Sequence, residues 1–247
     1  MYKNKTLVPL ILVTSLFFLW ALTSNLIPTL IPHLKKACRL TDFQSAFIDS
    51  AYWIAYFIIA IPAGIVMEKL GYKKAIIIGL LIAAVGTFLF YPAAQLRTFP
   101  FFLTALFIVA SGMTFLETAA NPYMTILGPA ETAPQRLNFA QAFNGLGAFF
   151  AAFFLSKIIL SGKEISDATL AALTPEAANQ LLTNEAKSVQ MPYLIIGIIL
   201  VLVAVVFAFT HFPAEKKELE VGTTEKSSFK LFEHKNLLIG ILAQFFM

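Results

Sequence analysis

"FPFFLTALFIVASGMTFLETAANPYMTIL" (99–127) contains a single charged residue, Glu117. At about 1.5 Å per helical residue, roughly 20 apolar residues cross the ~30 Å hydrocarbon core of a bilayer. The run is long enough to do so. A membrane β-strand would instead alternate polar and apolar residues at every second position. The stretch therefore reads as a transmembrane helix, and its one carboxylate raises a chemical question. A charge at mid-span costs about 2.5–3.5 kcal/mol on insertion scales, so Glu117 is expected to face a bundle interior or a watery cavity.

The rest of the chain repeats the pattern. Its 247 residues are 58% hydrophobic and only 13% charged, too few polar groups to cover a soluble surface. Apolar runs near 7–34, 43–67, 75–96, 137–160 and 191–212 join 99–127 to give six spans, and another run starts at 236. The first run follows Lys3 and Lys5 but continues to Leu34, longer than a signal-peptide core, so an uncleaved span is expected. The expected fold is all-α and transmembrane. Residues 1–213 form a six-helix bundle, 214–235 a cytoplasmic linker, and 236–247 the truncated start of a seventh helix. "NLLIGILAQFFM" (236–247) is too short to span, so the chain reads as the front half of something longer.

Charge placement favours a cytoplasmic N-terminus. Lys69, Lys73, Lys74, Arg136 and the lysines of 214–235 fall on that side, although "KKACR" (35–39) falls on the other. The basic residues lie in loops and form no basic face, which argues against nucleic-acid binding. Cys38 is the only cysteine, so no internal disulfide can form. His33, His211 and His234 lack metal-ligand spacing, and no phosphate-binding glycine loop is present. No cofactor is expected.

Glu117 heads the candidate site. A carboxylate beside a cavity can exchange a proton and so couple proton movement to another event; the competing reading is a structural pairing with a neighbouring helix. Asn121 follows four residues on, on the same helix face, and Pro122 removes a backbone hydrogen bond nearby. In the fifth span Asn138, Gln141 and Asn144 make a polar stripe. Gln141 and Asn144 suit a sugar, whose hydroxyls both donate and accept; interhelical hydrogen bonding is the alternative. Asn138 sits nearer the cytoplasmic end and is read as structural. Gly145 and Gly147 are expected to permit close helix approach. Thr41 and Gln44 have capping-box spacing, which starts the second span and puts Asp49 about two turns in. Asp49 either titrates at the mouth of a cavity or pairs with Lys35 or Arg39. Thr174-Pro175-Glu176 reads as the start of a short surface helix in the long 161–190 connection.

Two stretches go further. "TSNLIPTLIP" (23–32) echoes "TAANPYMTILGP" (118–129), as two inverted three-helix repeats would. "GIVMEKLGYKK" (64–74) offers Gly64 for close packing, Gly71 to end a helix, and the charges Glu68, Lys69, Lys73 and Lys74. Such a charged turn either latches one bundle against another or merely sets orientation.

At this point a family resemblance is visible. "GIVMEKLGYKK" is similar to the signature loop of the major facilitator superfamily. With "FFLWAL", "LETAANPYMTILGP" and "RLNFAQAFNGLGA", the chain resembles that superfamily's fucose/glucose–galactose proton symporters from about Phe17 onward. The resemblance implies a monosaccharide–proton symporter of the inner membrane, working by alternating access. The proton gradient is its co-substrate, and a C-terminal six-helix bundle is its missing partner. It implies a functional carboxylate at Glu117. Beside Asn121, Gln141 and Asn144, Asn25 of the first span is a lesser cavity-lining candidate. One departure stands out: Pro28 falls where relatives carry an acid in the first span, and Asp49 falls where they often carry glutamine. Either Glu117 alone carries the proton, or Asp49 substitutes, or coupling is altered. Two rival classes remain, a non-transporting membrane fragment and an intramembrane enzyme. The enzyme reading lacks a second catalytic group at sensible spacing.

Overall fold

Proline, threonine and glycine set where the helices begin and end. A computed structural model of the chain describes residues 3–155, 172–212 and 239. Every regular element among them is helical: α1 (Lys3–Ser24), α2 (Ile27–Ala37), α3 (Asp42–Leu70), α4 (Tyr72–Leu96), α5 (Phe99–Ile126), α6 (Ala133–Phe150), α7 (Pro175–Lys187) and α8 (Gln190–Phe209). A 3₁₀ turn, Ala130–Thr132, leads into α6, and a π-helical turn, Ala151–Leu155, follows it. Six helical stretches are long and apolar enough to cross a membrane. The expected linker 214–235, and all but one residue of the seventh run, lie outside the described residues.

The first span is built from two helices, α1 and α2. It breaks at Asn25-Leu26, and α2 restarts with Pro28 in its first turn. Proline has no N–H for the carbonyl four residues back, and its ring crowds that carbonyl. Pro122 does not break α5, which runs on to Ile126. The two echoing stretches still share one device. Asn25 donates its amide to the Ala21 carbonyl (2.8 Å), and Asn121 donates to the Glu117 carbonyl (3.0 Å).

Several boundaries follow the expected signals. Thr41 caps α3: the Gln44 N–H donates to its hydroxyl (3.2 Å), while the Gln44 side chain accepts from the Thr41 N–H (3.0 Å). Thr174 caps α7 by accepting from the Ala177 N–H (3.3 Å). Gly71 ends α3 at φ 82°, a left-handed value costly for any residue with a Cβ. Lys35 pairs with Asp42, not with Asp49 as considered above, because Asp42 starts α3 beside the end of α2.

Helix α5 is the hub. It packs against α3 and α4 and also meets α1 and α6; α1 lies along α6, and α8 along α4. The α4–α5 contact is tight because small residues face each other. A Cβ added at Gly112 would collide with the backbone of Ala83. Such close approach lets dispersion drive helix association in lipid, where no hydrophobic effect operates between helices. Gly147 approaches the Phe18 carbonyl in the same way, as expected. Gly64 and Gly145 do not: nothing lies within 4 Å of a Cβ at either, since their faces turn away from the described helices.

Candidate functional site

The break after α1 leaves Ser24 at a helix end facing α3. There Tyr52 and Tyr56, four residues apart, share a face. Ser24 Oγ lies 2.7 Å from the Tyr52 hydroxyl, and that hydroxyl donates to Tyr56 (3.1 Å). The Trp20 indole N–H also donates to the Tyr56 hydroxyl (2.9 Å). Trp20, which anchors this chain of hydroxyls, also lines a cleft with Glu117 of α5. Glu117 is half-buried and lines an open cleft. Leu16, Phe17 and Trp20 of α1 form one wall, and Leu116, Ala120 and Asn121 of α5 the other.

The polar edge continues onto α6. Gln141 donates to the Asn121 side-chain oxygen (3.3 Å) and is itself exposed. Asn144 follows on α6, half-buried. The structure thus brings Glu117, Asn121 and Gln141 together, with aromatic and hydroxyl side chains beside them. This arrangement can accept from and donate to a hydroxylated solute while a carboxylate exchanges a proton.

The remaining candidates are more dispersed. Asn25 is exposed, with its amide N–H bound to the end of α1. Asp49 is exposed on α3, three residues before Tyr52 and on the same face. Asn138 is exposed on α6. Of the charged turn, Glu68, Lys69 and Lys74 are exposed, but Lys73 turns inward. Its ammonium donates to the carbonyls of Ala208 (3.0 Å) and Thr210 (2.9 Å), and lies 5.6 Å from the Phe212 ring centre. Those contacts fasten α4 to the C-terminal end of α8 within one bundle, where a cation complements the helix dipole.

Sequence reasoning passed over Trp20, Ser24, Tyr52 and Tyr56. A signal was available in the i, i+4 spacing of the two tyrosines inside an otherwise apolar span. Arg136 was read only as a topological charge. It caps the end of α5 instead, donating to the carbonyls of Met124 (3.2 Å), Thr125 (2.6 Å) and Pro129 (2.9 Å) and to the Thr132 hydroxyl (2.6 Å).

Known proteins place this arrangement in context. The family model described as Major Facilitator Superfamily matches residues 12–247. The L-fucose-proton symporter of Escherichia coli K12 is 43% identical over 244 residues, which cover 97% of this chain and 56% of that protein. A glucose/galactose transporter of Brucella abortus is 40% identical over 232 residues, covering 94% of this chain and 53% of its own. A crystal structure of the transporter FucP in the outward conformation superposes with a TM-score of 0.77 at 46% identity, covering 85% of this chain and 51% of that one. The chain spans about half the length of the relatives it matches, and these relatives are transporters, not enzymes. With six membrane-length helices in the same architecture, this is a multi-pass membrane protein, and it belongs to the Major Facilitator Superfamily.

Proposed function

We propose that the chain is the N-terminal bundle of a proton-coupled monosaccharide symporter that works by alternating access. Glu117 binds the proton and accepts from a sugar hydroxyl. Asn121, Gln141 and Asn144 line the same cavity, and Asn25 stands at its α1 margin. Asp49 guides protons toward the tyrosines below it on α3. The turn Gly64–Lys74 sits on the cytoplasmic side, where Glu68, Lys69 and Lys74 meet the second bundle in one state and release it in the other, while Gly71 and Lys73 hold the turn in place. The N-terminus is cytoplasmic, and the bilayer is a cell's inner membrane. Residues 1–213 form the bundle, 214–235 the linker, and 236–247 open the next span.

One observation carries the proposal. The single charge of α5 lines a cleft between α1 and α5, with the Asn121 amide one turn away and Gln141 of α6 bonded to it. An ionisable group inside a membrane is costly unless it serves a pathway or a partner. The names of the relatives, which concern fucose with protons and glucose or galactose, give the solute class.

The test is Glu117→Gln in a complete two-bundle transporter reconstituted into proteoliposomes. A pH gradient should no longer drive sugar accumulation, while sugar exchange without a gradient survives. Undiminished uphill uptake would move the proton elsewhere, Asp49 first.

A further inference from the structure

Four side chains of α1 and α3 form a hydrogen-bond chain with a definite polarity. The Tyr52 hydroxyl gives its one proton to Tyr56 (3.1 Å), so Ser24 Oγ, 2.7 Å from Tyr52, is the donor at that end. The Trp20 indole N–H can donate but not accept, and it meets the same Tyr56 oxygen at 2.9 Å. Two donors thus converge on the Tyr56 hydroxyl. The Tyr56 ring is held as well, with the Tyr52 ring centroid at 5.0 Å and that of Trp53 at 5.8 Å. Trp20 and Ser24 are one turn apart on α1, as Tyr52 and Tyr56 are on α3. Two bonds one turn apart fix the rotation of each helix against the other. Trp20 also lines the cleft, where Leu16 and Phe17 complete its wall and Glu117 and Asn121 belong to the wall of α5.

We infer that Tyr56 is a positioning residue: by holding the Trp20 indole through its N–H, it fixes the apolar wall against which a monosaccharide rests, and so sets sugar affinity. The sugar half of this rests on the symporter reading above; the hold on the indole does not. A monosaccharide carries hydroxyls around its rim and C–H groups on its ring faces. Hydroxyls bound to Glu117 and Asn121 turn a ring face toward the wall of Leu16, Phe17 and Trp20. Binding pockets combine such apolar walls with a few polar groups that fix orientation. An indole N–H left without an acceptor in an apolar interior is costly. Without the Tyr56 oxygen the half-buried Trp20 ring turns toward another acceptor, and the wall changes shape. Tyr56 therefore acts on the sugar through Trp20.

The experiment is a double-mutant cycle on monosaccharide uptake by a complete two-bundle transporter in proteoliposomes. Tyr56→Phe removes one oxygen and keeps the ring. KM should rise about fivefold with little change in the maximal rate, the mark of lost ground-state binding. Trp20→Phe should also raise KM, and the double variant should bind no worse than Trp20→Phe alone, because the hydroxyl then has no indole to hold. Additive rises would make Tyr56 independent of Trp20, and a parent-like KM in Tyr56→Phe would make it a packing residue; either overturns the inference. A second arm uses the 247-residue chain in lipid nanodiscs, where Trp53→Phe leaves Trp20 as the lone tryptophan. Adding Tyr56→Phe should lower the Trp20 fluorescence anisotropy, and an unchanged value would overturn the hold on the indole. If Tyr56→Phe does not fold, Tyr52→Phe enters both arms, removing a hydroxyl that pins Tyr56. It should act the same way by less, and parent-like behaviour would count equally against the inference. A parent that takes up no monosaccharide would sink the symporter reading and the sugar half with it, while the anisotropy still decides the hold.

Discussion

His33 Nδ1 on α2 stands 3.2 Å from a carboxylate oxygen of Glu185 on α7, and the imidazole is fully buried. Ser188 Oγ lies 3.3 Å from the other ring nitrogen. The pair clamps the amphipathic α7 onto the end of the first span, beside the buried Ala178, Leu182 and Ala186. Arg97 supports the same helix from the end of α4, donating to the Asn179 side-chain oxygen (2.6 Å) and the Thr183 hydroxyl (3.2 Å).

Removing the acid should therefore loosen α7. Glu185→Ala takes away the carboxylate nearest the buried Nδ1 atom and leaves Ser188 as the ring's remaining polar contact. Hydrogen exchange across residues 175–187 should accelerate, while that in α5 stays unchanged. Parent-like exchange in α7 would mean that apolar packing alone holds it.

The α4–α5 contact predicts a contrast between two glycines. Gly112→Ala places a methyl against the Ala83 backbone and should destabilise the bundle by about 1–3 kcal/mol, with a lower melting temperature in detergent. Gly145→Ala meets open space on α6 and gains helix propensity, so its melting temperature should hold or rise. Equal melting of the two variants would contradict the packing described for α5.

Lys73 should matter for α8 more than for the exposed turn around it. Lys73→Gln shortens the side chain and removes the charge that meets the Ala208 and Thr210 carbonyls. A loss of about 1 kcal/mol is expected, read as faster amide exchange over residues 205–210. Lys74→Gln, at an exposed neighbour, should leave that exchange unaltered.

Cys38 gives a pH-dependent prediction. Burial pushes its thiol pKa up, and the weaker pull of the nearby Arg97 charge only partly opposes this. The thiolate is the reactive form, so a raised pKa keeps Cys38 unreactive at neutral pH. Maleimide labelling at neutral pH should be at least about tenfold slower in bilayers than in the denatured chain, and the rate should climb only above the ordinary thiol range near pH 8.5. Equal rates in both states would place Cys38 at an open surface.

Much of this molecule is legible locally. Six spans, the Thr41 and Thr174 caps and the Gly71 stop depend on neighbours within a few residues, and the structure returned all of them. The break at Pro28 was harder to read, because proline's effect depends on what else can satisfy the freed carbonyl. In α1 the chain turns, whereas in α5 it continues through Pro122. Glu117 and Asn121 could be singled out because polar residues are rare in an apolar run. Lys73 and Arg136 looked like orientation signals, since nothing in the sequence states which carbonyls they would reach.

By itself the sequence determined that helices cross a bilayer and that one carboxylate lies inside the fourth span, because hydropathy and the rise per residue are local quantities. Only the tertiary structure decided that Trp20, Tyr52 and Tyr56 join in one hydrogen-bonded chain and that Trp20 shares a cleft with that carboxylate. Their meeting depends on how α1, α3 and α5 rotate against one another. Small-residue contacts and buried hydrogen bonds between distant segments fix those rotations, and no local period encodes them.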